Sequence, residues 1–130
     1  MREILFRGKH VLDGRWIEGF YNGVRPDLAT MQTKECHRIL SLKSLAYDVA
    51  PDTIGQYTGL TDKNGKKIFE GDILRIRGDK EHPVLVVFHD FGWVCVMKNQ
   101  KYYRHRIENN SEKYEVIGNI RDNPELMEDK

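Results

Sequence analysis

Three carboxylates in the middle of the sequence are of the type that holds a divalent metal or acts as general acid and base. They are Asp62, Glu70 and Asp72, within residues 56–74. Hard cations prefer carboxylate oxygens, and acid–base catalysis needs a positioned proton donor and acceptor. A structural role is favoured, because Asp62 begins a turn over residues 62–65 and Asp72 opens a strand. We therefore predict no enzyme, metal site or cofactor, and rank a divalent-metal enzyme as the third hypothesis.

Cysteine and histidine are the other residue types that could do chemistry. They include Cys36, His37, His82, His89, Cys95 and His105. Zinc sites usually present paired ligands at short spacings such as C-x2-C, and this sequence has none. Cys36 and His37 are adjacent, so on a strand they would point to opposite faces. We predict neither a zinc site nor a disulfide, and no spacing here indicates a Cys–His nucleophile.

A basic segment over residues 98–106 combines cations with aromatic rings and contains no acid. Its candidate nucleic-acid contacts are Lys98, Lys101, Tyr102, Arg104 and Arg106. Cations beside a ring suit contact with a nucleic-acid backbone, and Arg75 and Arg77 on a neighbouring strand could join them. We favour a solvated strand face whose charges discourage edge pairing. The net charge of only +1 also argues against a dedicated nucleic-acid binder.

The composition is that of a globular, cytoplasmic protein. The chain has 130 residues, of which 39% are hydrophobic and 32% charged. That balance is too hydrophobic for disorder, and the length suits one domain or two small lobes. No apolar stretch reaches the roughly 20 residues that cross a bilayer. The first residues are too charged for a signal peptide, so we expect no membrane partner.

Strand signals predict the elements that must position these residues. Asp13–Gly14 is a hairpin dipeptide, which predicts a first hairpin over residues 3–21. Residues 22–34 are predicted to be a loop or a short helical turn. Asn123 and Pro124 predict a short helical turn near the end. Alternation and turn residues predict five further strands, at 73–77, 84–88, 93–97, 102–107 and 114–117.

The run Q-Y-T-G-L-T-D-K-N-G-K-K-I-F-E-G-D-I-L, residues 56–74, resembles the signature of the YopX family of phages and prophages. Residues 4–8 with Trp16, and residues 114–126, are similar to that family's first hairpin and its last strand and tail. The resemblance implies a phage or prophage origin but no activity and no site residues.

The resemblance also implies an SH3-like barrel in the second half of a mainly β fold with little helix. We therefore expect an N-terminal β-hairpin lobe at residues 1–55, packed on a small C-terminal SH3-like β-barrel at residues 56–122. A short helical turn or tail follows at residues 123–130.

Two functional hypotheses stand ahead of the enzyme. The first is a non-catalytic binding module that engages a protein partner, with Tyr57 and Trp93 as the candidate surface. An exposed apolar patch around these rings would support it. The second is a nucleic-acid-binding small β-barrel that uses the segment from Lys98 to Arg106, which requires the cations to share one face. Self-association is a further expectation, because small β domains with open edges often pair.

Overall fold

The part of the chain that the structure describes consists mostly of antiparallel strands, which confirms the mainly β class. The computed structural model describes residues 4–27, 32–41, 43, 45–89, 91–97 and 104–128. The strands are β1 (Phe6–Lys9), β2 (Trp16–Asp27), β3 (Gln32–Ser41), β4 (Ala46–Asp48), β5 (Gly55–Thr61), β6 (Lys67–Phe69), β7 (Asp72–Ile76), β8 (Asp79–His89), β9 (Gly92–Met97), β10 (Arg104–Arg106) and β11 (Tyr114–Asn119). Short 3-10 turns lie at Pro51–Thr53, Ser111–Lys113 and Pro124–Met127.

The strands form two open sheets. The six-stranded sheet has the order β4-β3-β2-β1-β5-β6, and the five-stranded sheet has the order β10-β9-β8-β7-β11. The chain divides into two compact units, Met1–Gln56 and Tyr57–Lys130. Because neither sheet closes on itself in the described residues, the expected SH3-like barrel is not established by this topology.

The N-terminal unit contains two long strands where the sequence predicted an irregular segment. Residues 22–27 belong to β2 and residues 32–34 to β3, so the predicted loop or helical turn is wrong in those positions. The β2–β3 register shifts between Tyr21 and Val24 and again between Arg25 and Asp27. The second shift falls at Pro26, which has no backbone N–H to give to a ladder and is tolerated at a bulge.

Alternation along the N-terminal strands separates a buried face from an exposed one. Ile17, Ile39 and Val49 form the buried cluster of this unit. On the opposite face, Phe20 of β2 lies directly across from Leu40 of β3. Both of these side chains are exposed. This is the period-two pattern of a sheet with one solvated face.

The C-terminal unit contains the five strands that the turn residues predicted, as β7 to β11. Its buried cluster draws on β6 to β9 and β11, through Ile68, Leu74, Val84, Val86, Trp93, Cys95 and Tyr114. Tyr57 is only 8% exposed and packs on the Phe69 ring, while Trp93 is 9% exposed and meets Phe88 edge-on. The prediction that Tyr57 and Trp93 form an exposed partner surface is therefore wrong, because their strands turn both rings into the core.

The C-terminal turn forms, but without the predicted cap. Pro124 is its first residue, whereas the Asn123 side chain accepts the backbone N–H of Asn119. In the part of the chain that the structure describes, no helix is long and apolar enough to span a bilayer.

Candidate functional site

Asp62 is the centre of a buried hydrogen-bond network. Its Oδ1 accepts the backbone N–H groups of Asn64 and Lys66, both at 2.9 Å. Its Oδ2 accepts the N–H of Val116 in β11, also at 2.9 Å. Burial alone would raise the pKa of Asp62, but donation from Val116, Lys66 and Asn64 outweighs it and holds the pKa below its ordinary value. Both oxygens of this carboxylate therefore accept hydrogen bonds from backbone N–H groups.

The Asp62 turn also covers the outer edge of β11. Lys63 donates its backbone N–H to the carbonyl oxygen of Tyr114 at 2.9 Å, next to the bond between Val116 and Asp62. Gly65 completes the turn with a φ of 79°, which favours glycine. The sequence 62–65 thus joins the β5–β6 hairpin to the last strand, a long-range contact that supports the structural interpretation of Asp62.

The other two carboxylates do not combine with Asp62 into a metal site. Asp72 is buried and accepts the backbone N–H of Phe69 at 2.8 Å. Glu70 is half-buried. Among the described residues, no three acidic, histidine or cysteine side chains are grouped as metal ligands. The arrangement of Asp62, Glu70 and Asp72 gives the third hypothesis no geometric support.

Cys95 is fully buried in the C-terminal core and is expected to be chemically inert. Burial raises the pKa of its thiol to about 12, despite the opposing charge of Lys113. Since the thiolate is the reactive form, iodoacetamide should alkylate native Cys95 at pH 8 at least about a hundredfold more slowly than the denatured chain. Peptide mass spectrometry over time measures this rate directly. Equal rates in the native and denatured protein would contradict the burial of this thiol.

The basic segment at residues 98–106 is only partly described. Lys98, Lys101 and Tyr102 lie outside the described residues, and the backbone of Arg104 pairs with Val96 of β9. The guanidinium of Arg106 lies over Gly92. A Cβ placed on that glycine would be 3.0 Å from Arg106 Cζ. Gly92 is thus needed for the close approach of Arg106, a structural contact that the sequence did not predict.

A different group of cations surrounds a cleft of about 300 Å³ in the C-terminal unit. We call it the basic cleft, and its cations are Lys63, Arg75, Arg77, Lys80 and Lys113. Three separate segments supply them: the Asp62 turn, the β7–β8 hairpin and the 3-10 turn Ser111–Lys113 that precedes β11. Arg75 and Arg77 are among the cations predicted from the sequence, whereas Lys63, Lys80 and Lys113 are not, because only the topology brings their segments together.

The tip of the β8–β9 hairpin is the second unusual surface. Phe91 is 97% exposed and adopts a φ of 62°, between His89 and Gly92, which pair across the two strands. Phe88 is 54% exposed and lies edge-on to Trp93 with ring centroids 5.0 Å apart. The sequence marked a turn here but could not show that phenylalanine, and not the adjacent glycine, takes the left-handed conformation.

A family model described as YopX protein matches residues 5–128, nearly the whole chain. The chain belongs to the YopX family. The resemblance of residues 56–74 to the YopX signature is therefore confirmed. In structural terms, that signature contains the buried Asp62 network and the turn that covers β11.

The solved structures similar to this YopX chain include the crystal structure of protein EF1440 from Enterococcus faecalis. The two are 24% identical, with a TM-score of 0.52, over 98% of this chain and 100% of the other. At that identity the similarity shows a related fold alone. No curated protein matches this chain.

Proposed function

We propose that this YopX chain is a phage- or prophage-derived accessory protein of the bacterial cytoplasm. It acts as a non-catalytic binding module and engages a protein partner through the tip of the β8–β9 hairpin. The observation that carries the proposal is Phe91, which is both almost fully exposed and held at a positive φ. The site replaces the surface predicted from Tyr57 and Trp93, which are buried.

Phe91 is unfavourable for the stability of the isolated chain in two ways. A residue with a Cβ loses roughly 1–2 kcal/mol in the left-handed region, where glycine or asparagine is better tolerated. The exposed ring gains nothing from burial in the fold. Backbone strain of this kind concentrates at ligand and partner sites. The presence of phenylalanine here, despite the strained backbone and the exposed ring, is explained if the ring is buried in a complex.

The surroundings of Phe91 suit a protein surface. Phe88 adds a second exposed ring and packs on the fixed Trp93. Arg106, which lies over Gly92, is a neighbouring polar group at the same hairpin. Aromatic and arginine side chains dominate binding energy at protein interfaces, especially where a ring fills an apolar pocket. The occupant proposed here is therefore a partner protein with an apolar pocket for Phe91.

Phe91→Asn separates binding from folding. Asparagine tolerates the left-handed conformation and the lost ring makes no core contact, so we expect stability to rise by about 1 kcal/mol. That corresponds to an increase in Tm of roughly 4–8 °C for a unit of this size. Thermal unfolding followed by circular dichroism measures it. An unchanged or lower Tm would show that Phe91 is not strained.

The binding test compares immobilised wild-type protein with Phe91→Asn and a matched control, Phe20→Thr. Phe20 is 54% exposed in the other unit, and threonine preserves the strand preference of its position. Mass spectrometry quantifies the proteins captured from host lysate. Gel filtration shows whether a second copy of the chain binds instead. We expect at least one protein to be kept by wild type and Phe20→Thr but lost by Phe91→Asn. The proposal is overturned if no captured protein depends on Phe91, or if Phe20→Thr loses the same protein.

A further inference from the structure

We propose that the basic cleft binds the phosphodiester backbone of nucleic acid, through residues other than those of the hairpin tip and of the predicted segment 98–106. The cleft is assembled from the Asp62 turn, the β7–β8 hairpin and the start of β11, all within the C-terminal unit. Its cations are Lys63, Arg75, Arg77, Lys80 and Lys113, and two acids, Glu112 and Glu115, share the lining.

Two of the cations are held in place by a single carboxylate. Glu115 Oε2 lies 2.7 Å from Lys63 Nζ, and Glu115 Oε1 lies 3.3 Å from an Arg75 guanidinium nitrogen. Hydrogen bonding from Lys63, with Arg75 adding its charge, holds the pKa of Glu115 below its ordinary value. Glu115 therefore stays charged at neutral pH and partly neutralises one lysine and one arginine, so an incoming phosphate must compete with Glu115 for these two cations.

The other side of the cleft carries positive charge that the described residues do not neutralise. Arg77 and Lys80 flank the tip of the β7–β8 hairpin, where Ile76 pairs with Asp79, and neither makes an ion pair with another described residue. Arg77 is anchored by its backbone N–H, which donates to the carbonyl of Lys113 at 2.8 Å. Lys113 itself is partly neutralised by Glu108 at 2.9 Å. Arg77 and Lys80 are thus the cations available to an incoming anion.

The character of the lining favours nucleic acid over an acidic protein. Of the ten described residues that line the cleft, seven are charged, and the ring of Tyr114 is buried in the core. The centre of a protein interface is depleted of charged residues, whereas nucleic-acid interfaces are polar and strongly cationic. Guanidinium groups also match phosphate geometry bidentately. Because the part of the lining that the structure describes holds no exposed ring to stack on bases, we expect contact with the backbone that is independent of sequence.

The test is fluorescence anisotropy of a labelled single-stranded DNA of about twenty nucleotides, titrated with the full chain over a series of salt concentrations. The double variant Arg77→Ala, Lys80→Ala is expected to bind at least fivefold more weakly at low salt. The slope of the logarithm of the binding constant against the logarithm of the salt concentration should be shallower by roughly 1 to 1.5. Each of the two lost phosphate contacts on single-stranded DNA accounts for about 0.7 of that slope. The control is Lys43→Ala, Arg121→Ala, which removes one exposed lysine and one exposed arginine outside the cleft.

A variant expected to bind DNA more tightly tests whether weaker binding in the cleft variants comes from misfolding, because a misfolded protein would not gain affinity. Glu115→Gln removes a negative charge from the lining and releases Lys63 and Arg75, so DNA should bind about two- to fivefold more tightly. Equal weakening by the two double variants, or no gain with Glu115→Gln, would overturn the proposal. A loss of DNA affinity only in the double variant Lys101→Ala, Arg104→Ala would also overturn the proposal, because it would place binding on the segment 98–106. A poly-glutamate peptide that competes as well as unlabelled DNA would show a site for acidic protein and not for phosphate.

Discussion

Asp62→Asn is expected to destabilise the C-terminal unit by about 3 kcal/mol, because hydrogen bonds to a charged acceptor are lost inside the protein. The amide can keep one acceptor oxygen for Asn64 and Lys66, but its NH₂ group would face the N–H of Val116. Two donors then oppose each other in a site with little access to water. Urea unfolding monitored by circular dichroism measures the change in free energy.

The loss of stability caused by Asp62→Asn should depend on pH in a defined direction. The folded pKa of Asp62 lies below its ordinary value of 3.8. Its stabilising contribution is therefore complete above the pKa of the unfolded chain and is lost as the pH falls through the lower folded pKa. The gap in stability between wild type and Asp62→Asn should narrow as the solution is acidified through this range. A gap that widens towards acid would contradict the network.

Glu70→Gln is the matched control within the same signature. Glu70 is half-buried and stands outside the hydrogen bonds that Asp62 makes. Its substitution should change the free energy of unfolding by less than about 0.5 kcal/mol. If Asp62→Asn and Glu70→Gln had equally small effects, the signature would be held together by its apolar residues, such as Ile68, and not by the Asp62 carboxylate.

Local turn chemistry explains the parts of the fold that the sequence predicted well. Turn residues such as those at 62–65 specify their conformation through their own side chains and backbone freedom, so they can be identified without tertiary information. The same holds for the alternation that predicted β7 to β11. The prediction for residues 22–27 and 32–34 was wrong because two register shifts accommodate Pro26 and its polar neighbours, and the pairing of β2 with β3 outweighs local preference.

The candidate sites were harder to predict because they depend on exposure and on long-range assembly. Aromatic type alone could not show that Trp93 is buried while Phe91 is exposed, because residue type does not give the direction in which a side chain points. Likewise, Lys63, Lys80 and Lys113 are far apart in the chain. They line one cleft because β7 pairs with both β8 and β11, and because the Asp62 turn is hydrogen-bonded to β11. The net charge of a sequence window does not reveal such a cluster, because its members lie in different windows. Both proposed surfaces therefore required the fold.

Gly19→Ala is expected to destabilise the N-terminal unit by about 3 kcal/mol through overpacking of the β2–β3 ladder. Gly19 lies opposite Ser41 of β3 and Phe6 of β1. A Cβ there would stand 2.7 Å from the carbonyl carbon of Leu40 and 2.9 Å from Cα of Ser41, and would also clash with the Leu40 oxygen. These are backbone atoms, so relief requires the two strands to separate and cannot come from a side-chain rotation.

The two tryptophans allow this effect to be assigned to one unit. Trp16 lies in β2 and Trp93 in β9, so in a Trp93→Phe background the fluorescence of Trp16 reports the N-terminal unit alone. Gly19→Ala should lower the urea midpoint of that signal, whereas Glu18→Ala, on the exposed face of the same strand, should shift it by less than about 0.5 kcal/mol. Equal shifts for the two variants would mean that β2 and β3 do not approach as closely at Gly19 as the structure shows. A large shift confined to Gly19→Ala would instead establish that this glycine sets the strand spacing on which the exposed pair of Phe20 and Leu40 depends.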